Sequence, residues 1–261
     1  SLSNNTDWQD ASNWTMGVPN PTDDVSIPSY SLQSNLTLTN VPDTIKVKSL
    51  EINGSYQYSV KLICERIELS GTLSSNEYSI IEHADPNLRV DIVFDFHADL
   101  RLNGSDQHAL NIIIENGVEI ELDAPCEQRK SILEIRDGVF KTNGIELKLH
   151  RILIKPELAG SSQSFNAGTS NITLGAAGHV LEGMYELDAL SSLDSATFIF
   201  ADPNNSLIPR PIFVDFAGLR IKKITFERPA TIAGHPRLTD LSLMDGYTYF
   251  LADSIEVSNV I

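Results

Sequence analysis

Apolar and polar residues alternate with a period of two along most of this chain. Ile45 and Val47 alternate with polar neighbours, as do Ile67, Leu69 and Leu73, then Val118, Ile120 and Leu122, then Ile145, Leu147 and Leu149, and Ile172 and Leu174. Side chains on a strand point alternately to its two faces, so this pattern predicts short strands with one face buried. Helical periodicity is nearly absent, and Leu181 to Leu193 is the best helix candidate. Asn53-Gly54, Asn103-Gly104, Asn116-Gly117, Asp137-Gly138, Asn143-Gly144 and Asp245-Gly246 punctuate the runs. Each dipeptide tolerates positive φ at a tight turn.

The strand pairs recur. Leu50–Ile52, Ile67–Leu69, Val90–Ile92, Ile112–Ile114, Leu133–Ile135, Ile152–Ile154, Ile172–Leu174, Phe198–Phe200, Ile224–Phe226 and Leu241–Leu243 follow one another at roughly 17 to 26 residues, the length of one solenoid coil. The pattern predicts an all-β chain wound as a right-handed parallel β-helix. Residues 1–44 would form an N-terminal cap and the first strands. Residues 45–261 would form the helix, which stops in strand-like sequence at Ile261 and so reads as truncated at that end. The runner-up is two β-sandwiches joined near Lys155-Pro156-Glu157-Leu158-Ala159-Gly160.

Composition narrows the function. Hydrophobic residues are 41% and charged residues 21% of 261, enough for a substantial core. A net charge of −16 repels phosphates at long range, which argues against nucleic acid and anionic membranes as partners. No apolar run is long enough to insert as a transmembrane helix. Cys64 lies in an apolar run and reads as a small buried residue, whereas Cys126 follows Pro125 in what reads as a polar loop and would be a free thiol.

The segment from Asp7 to Pro28 holds both tryptophans, Trp8 and Trp14, followed by Gly17-Val18-Pro19 and Asp23-Asp24-Val25-Ser26-Ile27-Pro28. It resembles the opening of β-helical domains in large secreted surface proteins of the Bacteroidota. Gly138 to Gly144, Phe165 to Leu174 and Ile224 to Val257 are similar to later parts of the same domains. The resemblance implies export by type IX secretion, an extracellular or cell-surface location and an adhesin-like role, and it carries no shared catalytic motif. Physically, the open end of a solenoid needs a cover, and two indoles over the first coil would supply one. The alternative is an aromatic platform for stacking sugars.

The densest ionisable cluster is Asp91, Asp95, His97, Asp99 and Arg101. On one continuous strand these odd positions would all face outward, with Ile92, Phe94, Phe96, Ala98 and Leu100 inward. Carboxylates two residues apart would lie about 6.6 Å apart, inside the range of roughly 6.5 to 9.5 Å that inverting glycoside hydrolysis requires. That geometry permits a polysaccharide lyase or hydrolase, but alternating charge is also the ordinary solvent face of a strand. Asp23 and Asp24 are candidates for Ca²⁺ near the cap. None of the six histidines has zinc-ligand spacing, and no phosphate loop or nucleophile elbow is present.

The sequence therefore reads as a non-catalytic structural or adhesive segment, with no cofactor beyond a possible Ca²⁺. Its partners would be glycans, ligands on host or other cell surfaces, and neighbouring domains of the same long chain. The alternatives are a β-helix polysaccharide-cleaving enzyme and a carbohydrate-binding module.

Overall fold

A computed structural model describes residues 6–28, 34–102, 109–155, 160–175, 178–182, 191–201, 212–216, 220–234, 237–243, 248–250 and 256–260. The chain is a right-handed parallel β-helix, and among the described residues every strand pairing is parallel. The two-sandwich alternative falls with that observation, because sandwiches are built from antiparallel strands. The ladders also run straight past the Lys155 region: Gly138–Lys141 pairs with Gln163–Asn166, and Leu147 pairs with Ile172.

Among the described residues three sheets wrap the core. A seven-stranded sheet runs from Asp24–Ile27 through Ser49–Ile52, Leu73–Ser75, Ala98–Leu102, Val118–Leu122 and Gly138–Lys141 to Gln163–Asn166. A three-stranded sheet joins Leu36–Thr37, Val60–Ile63 and Ser79–Glu82. The third sheet has 15 strands, and it divides. Its first strands stack singly, Ile45 on Ile67, then Ile92, Ile112, Leu133 and Ile152. In the long strand Cys126–Ile135 the register shifts between Gln128 and Ile132. From there two ladders run side by side. One continues from Ile152 to Leu181, and the other starts at Cys126 and runs through Leu147, Ile172, Phe198, Ile224 and Leu241.

The stacking register puts like residues over like in the interior. Val25, Leu50, Leu73, Leu100 and Leu122 form one column, each at most 5% exposed. Farther along, Phe200 and Phe226 stack with ring centroids 4.9 Å apart and planes 13° apart. Burying each such side chain contributes about 1.5 to 3 kcal/mol.

The turns behave as their dipeptides predict. Asn116, Asn143, Gly117, Gly138 and Gly144 all adopt positive φ. Asn53-Gly54 matters for a different reason. A Cβ on Gly54 would lie 2.3 Å from the Tyr78 carbonyl oxygen, so glycine lets one coil's turn sit on the next. Asn76 clamps that stack, accepting from the Gly54 N–H at 3.0 Å and donating Nδ2 to its carbonyl at 2.8 Å. Asn103-Gly104 and Asp245-Gly246 lie outside the described residues.

Two local expectations are corrected. Leu181, the start of the helix candidate, sits in the strand Gly178–Glu182 and stacks on Ile152, because an inward ladder position outweighs weak helical periodicity. Residues 183–190 lie outside the described residues. Cys126 opens a buried strand and is 1% exposed. Both cysteines are free, and burial pushes each thiol up to about 12.

Candidate functional site

The outer face of the seven-stranded sheet carries a concave groove of about 250 Å³. Its floor comes from outward positions of successive coils. Ser26, Glu51, Ser74 and Arg101 lie in register across four adjacent strands, and Asp24 lies beside Ser49. Ser49 and Thr72 complete a floor of hydroxyl side chains. Short side chains there leave space between longer ones, with Asp24 and Glu51 at one end and Arg101 at the other.

The charges around the groove are held in place. Lys48 donates to Asp24 Oδ2 at 2.9 Å; that bond, with a second from Ser49, holds the Asp24 carboxyl below the usual carboxylate range. Ser26 Oγ donates to Glu51 Oε2 at 2.8 Å and Asn53 Nδ2 donates to Oε1 at 2.9 Å. Arg101 pairs with Asp123 on the following coil. The groove therefore offers hydroxyls and fixed carboxylates, the groups that hydrogen-bond a polyol. The groove was missed in the sequence, although serine and threonine recur at outward positions about one coil apart.

The Asp91–Arg101 cluster does not lie on one strand. Val90–Phe94 belongs to the large sheet and Ala98–Leu102 to the seven-stranded sheet, with a bend over residues 95–97. The corner sends Asp91 to one face and Asp99 and Arg101 to another. Phe96, expected inward, is 61% exposed, and its ring packs 5.5 Å from His97. The alternation breaks at this bend, where Val93 and Phe94 are both buried and Asp95, Phe96 and His97 are all exposed, so parity alone misplaces the side chains.

Each member of the cluster has a structural setting. Asp91 lies 3.8 Å from the Arg66 guanidinium on the coil before and accepts from Asn111 Nδ2 on the coil after at 3.1 Å. Asp95 donates its backbone N–H to the Leu69 carbonyl at 2.7 Å. His97 Nδ1 accepts from the Glu119 N–H at 2.7 Å. Asp99 stands in register with Glu121, whose charge Lys141 answers at 3.1 Å. Of the catalytic and metal candidates, Asp24 and Arg101 both line the groove, at opposite sides, and Asp99 shares the outer face of the Arg101 strand.

Asp23 and Asp24 are adjacent but separately occupied. Asp23 Oδ2 accepts from the Asn20 N–H at 2.9 Å and Asn20 Nδ2 at 2.7 Å, finishing a turn. A Ca²⁺ there would compete with Asn20 and Lys48. Among the described residues no three histidine, cysteine, aspartate or glutamate side chains are gathered to hold a metal, and no helix is long and apolar enough to cross a membrane.

Trp8 is 2% exposed and packs into the core, and Trp14 packs against it edge-on with centroids 4.9 Å apart. Trp8 pairs with the solenoid through its N–H to the Thr39 carbonyl at 2.8 Å. A short 3₁₀ turn, Ala11–Asn13, joins the two rings, with Asp10 accepting from the Ser12 N–H as its cap. Buried Trp8 offers no open face to a sugar, whereas Trp14 is half-buried.

Comparison with protein-family models, with curated proteins and with solved structures finds no match.

Proposed function

We propose that the chain is a non-catalytic structural and adhesive segment of an extracellular, cell-surface bacterial protein. The observation that carries this reading is how the outer charges are used. Lys46 pairs with Glu68, Lys61 with Glu82, Arg101 with Asp123, Arg136 with Glu115, Lys141 with Glu119 and Lys148 with Glu127. Each pair ties one coil to its neighbour. Single exposed pairs contribute only about 0 to 1 kcal/mol, but a repeated network holds side chains in fixed positions and leaves few of them available for proton transfer. The opening segment's resemblance to surface domains of the Bacteroidota and the acidic balance are in keeping with an exported, soluble rod.

The second reading, a glycan-binding face, is favoured by the hydroxyl-floored groove between Glu51 and Arg101. Adhesion would act there on neutral glycans of a cell surface, since polyanions are repelled by the net charge. The test is a panel of polysaccharides incubated with the protein and scored for bound ligand, new reducing ends and unsaturated products. Binding without products supports the adhesive reading. Product formation lost in Asp95→Ala or Asp99→Ala would replace it with a polysaccharide-cleaving enzyme. Surface labelling of cells of the native host, with and without external protease, tests the location.

A further inference from the structure

One edge of the solenoid runs against the charge of the rest of the molecule. It is the corner where the two ladders of the large sheet meet. Arg129, Lys130 and Ser131 occupy it at the register shift of Cys126–Ile135, and His150 lies at the same place one coil later, between Leu149 and Arg151. Arg89 reaches the corner from an earlier coil, donating Nε to the Lys130 carbonyl at 3.1 Å. Arg228 lies at the corner on a later coil and is 3% exposed.

These cations are not equivalent. Arg228 has a structural task, donating to the Ala201 carbonyl at 2.9 Å and the Gly175 carbonyl at 3.4 Å, both at strand ends. Arg129 is neutralised by Glu127 at 2.8 Å. Arg89 and Arg151 have no carboxylate partner among the described residues. Arg151 Nε is shielded from solvent with no hydrogen-bond partner, and the nearby Asn111 Oδ1, in the same outward row one strand beyond Ile132, is likewise unpartnered. Burial, and after it the Arg151 charge, holds the Arg89 guanidinium below its usual range. His150 donates to the Arg129 carbonyl, and burial followed by the Arg151 and Arg89 charges pushes its ring down to about 4. Two guanidinium groups in mutual repulsion, partly desolvated and without a counter-charge, are costly in a chain that has acidic residues to spare.

We propose that Arg89 and Arg151, beside the His150 ring, form a binding site for one small oxyanion group, a sulfate, phosphate or carboxylate. Arginine forks match such groups bidentately. The fixed positions follow from the fold: the hydrogen bond to Lys130 places Arg89, and strand register places Arg151. The surrounding negative field disfavours long polyanions and leaves a compact anion as the expected ligand.

The test uses the intact protein and inorganic sulfate. Calorimetric titration and thermal melts are run in sodium sulfate and in sodium chloride at equal ionic strength. Sulfate is expected to raise the melting temperature beyond chloride, and Arg89→Gln or Arg151→Gln is expected to weaken sulfate binding about tenfold or more. In the unsubstituted protein the His150 ring should titrate at higher pH with sulfate bound, as followed by NMR, because the anion offsets the two guanidinium charges. A substitution that merely relieved repulsion would raise stability but would not remove the difference between the two salts. Equal effects of the salts, or a sulfate effect that survives in both variants, would overturn the site. Dextran sulfate at matched sulfate content distinguishes the source: competition assigns a group carried on a polymer, and no competition assigns the free ion, with the oxyanion chemistry standing in both cases.

Discussion

The indole N–H of Trp14 donates to the backbone carbonyl of Trp8 at 2.8 Å. One tryptophan thus fixes the other by hydrogen bond as well as by ring contact, and together they close the first coil. Trp8→Ala is expected to lose about 3 to 5 kcal/mol, the usual cost of emptying a large aromatic site. Trp14→Phe keeps an aromatic ring and loses the bond, so its cost should be about 0.5 to 1.5 kcal/mol. Urea denaturation of the two variants checks the order. Equal, small losses would mean that this pair does not cap the core.

Gln128 offers a gain in stability. It lies on an inward ladder beside Leu149 and is fully buried, yet neither its amide nitrogen nor its amide oxygen has a partner. Gln128→Leu should stabilise the chain by about 1 to 3 kcal/mol, because an apolar side chain of similar shape removes two unsatisfied polar atoms. A lowered melting temperature would reveal an internal water bridging the amide.

His150 predicts a particular acid limb. Its ring is pushed from 6.5 down to about 4, so between those values the unfolded chain binds more protons than the folded one. Stability from this residue is therefore complete above pH 6.5 and is lost as pH falls towards 4. Lowered carboxylates such as Glu68 and Glu121 add their own loss only near the bottom of that window, below the ordinary glutamate value of 4.5. Melting temperatures measured between pH 6.5 and 4.5 should fall in the unsubstituted protein and stay flatter in His150→Gln. Parallel curves would assign the acid limb elsewhere.

Gly138 tests coil-to-coil approach. Its φ is 132°, and a Cβ there would lie 2.3 Å from the Val118 carbonyl oxygen. Gly138→Ala should cost at least about 2 kcal/mol through strain and forced separation of the two strands. Gly117→Ala, also at positive φ but facing open space, should cost less. Chemical denaturation of the pair checks the ranking.

Much of the architecture was legible because inward residues of a solenoid obey one simple rule of parity. The Ile67, Ile92, Ile112, Leu133, Ile152 series is one physical column, and Ile172, Phe198, Ile224, Leu241 is another. The join between them was not legible. Ile172 stacks on Leu147 and not on Ile152, because the ladder splits at Gln128, and a repeat spacing cannot tell a continued column from a new one beside it. Leu50–Ile52 likewise belongs to the seven-stranded sheet. The site was less legible still. Asp91 and Asp99 share a parity but not a face, since Asp95, Phe96 and His97 are exposed in succession at the corner, which breaks the alternation and changes the direction of the chain. The hydroxyl groove depends on which outward positions fall side by side, information that resides in the register between coils.

The parallel ladders also set how the molecule would answer a pull. Their hydrogen bonds run along the axis of the solenoid, so tension applied lengthwise loads one coil's row of bonds at a time. A coil adds roughly 4.8 Å of height while wound, and a coil of about 20 residues releases nearly 70 Å of chain once peeled away. A rod built this way holds its length under small forces. Under larger ones it yields coil by coil, each step lengthening the tether more than tenfold over the height it gives up and dissipating the load before the remaining coils feel it.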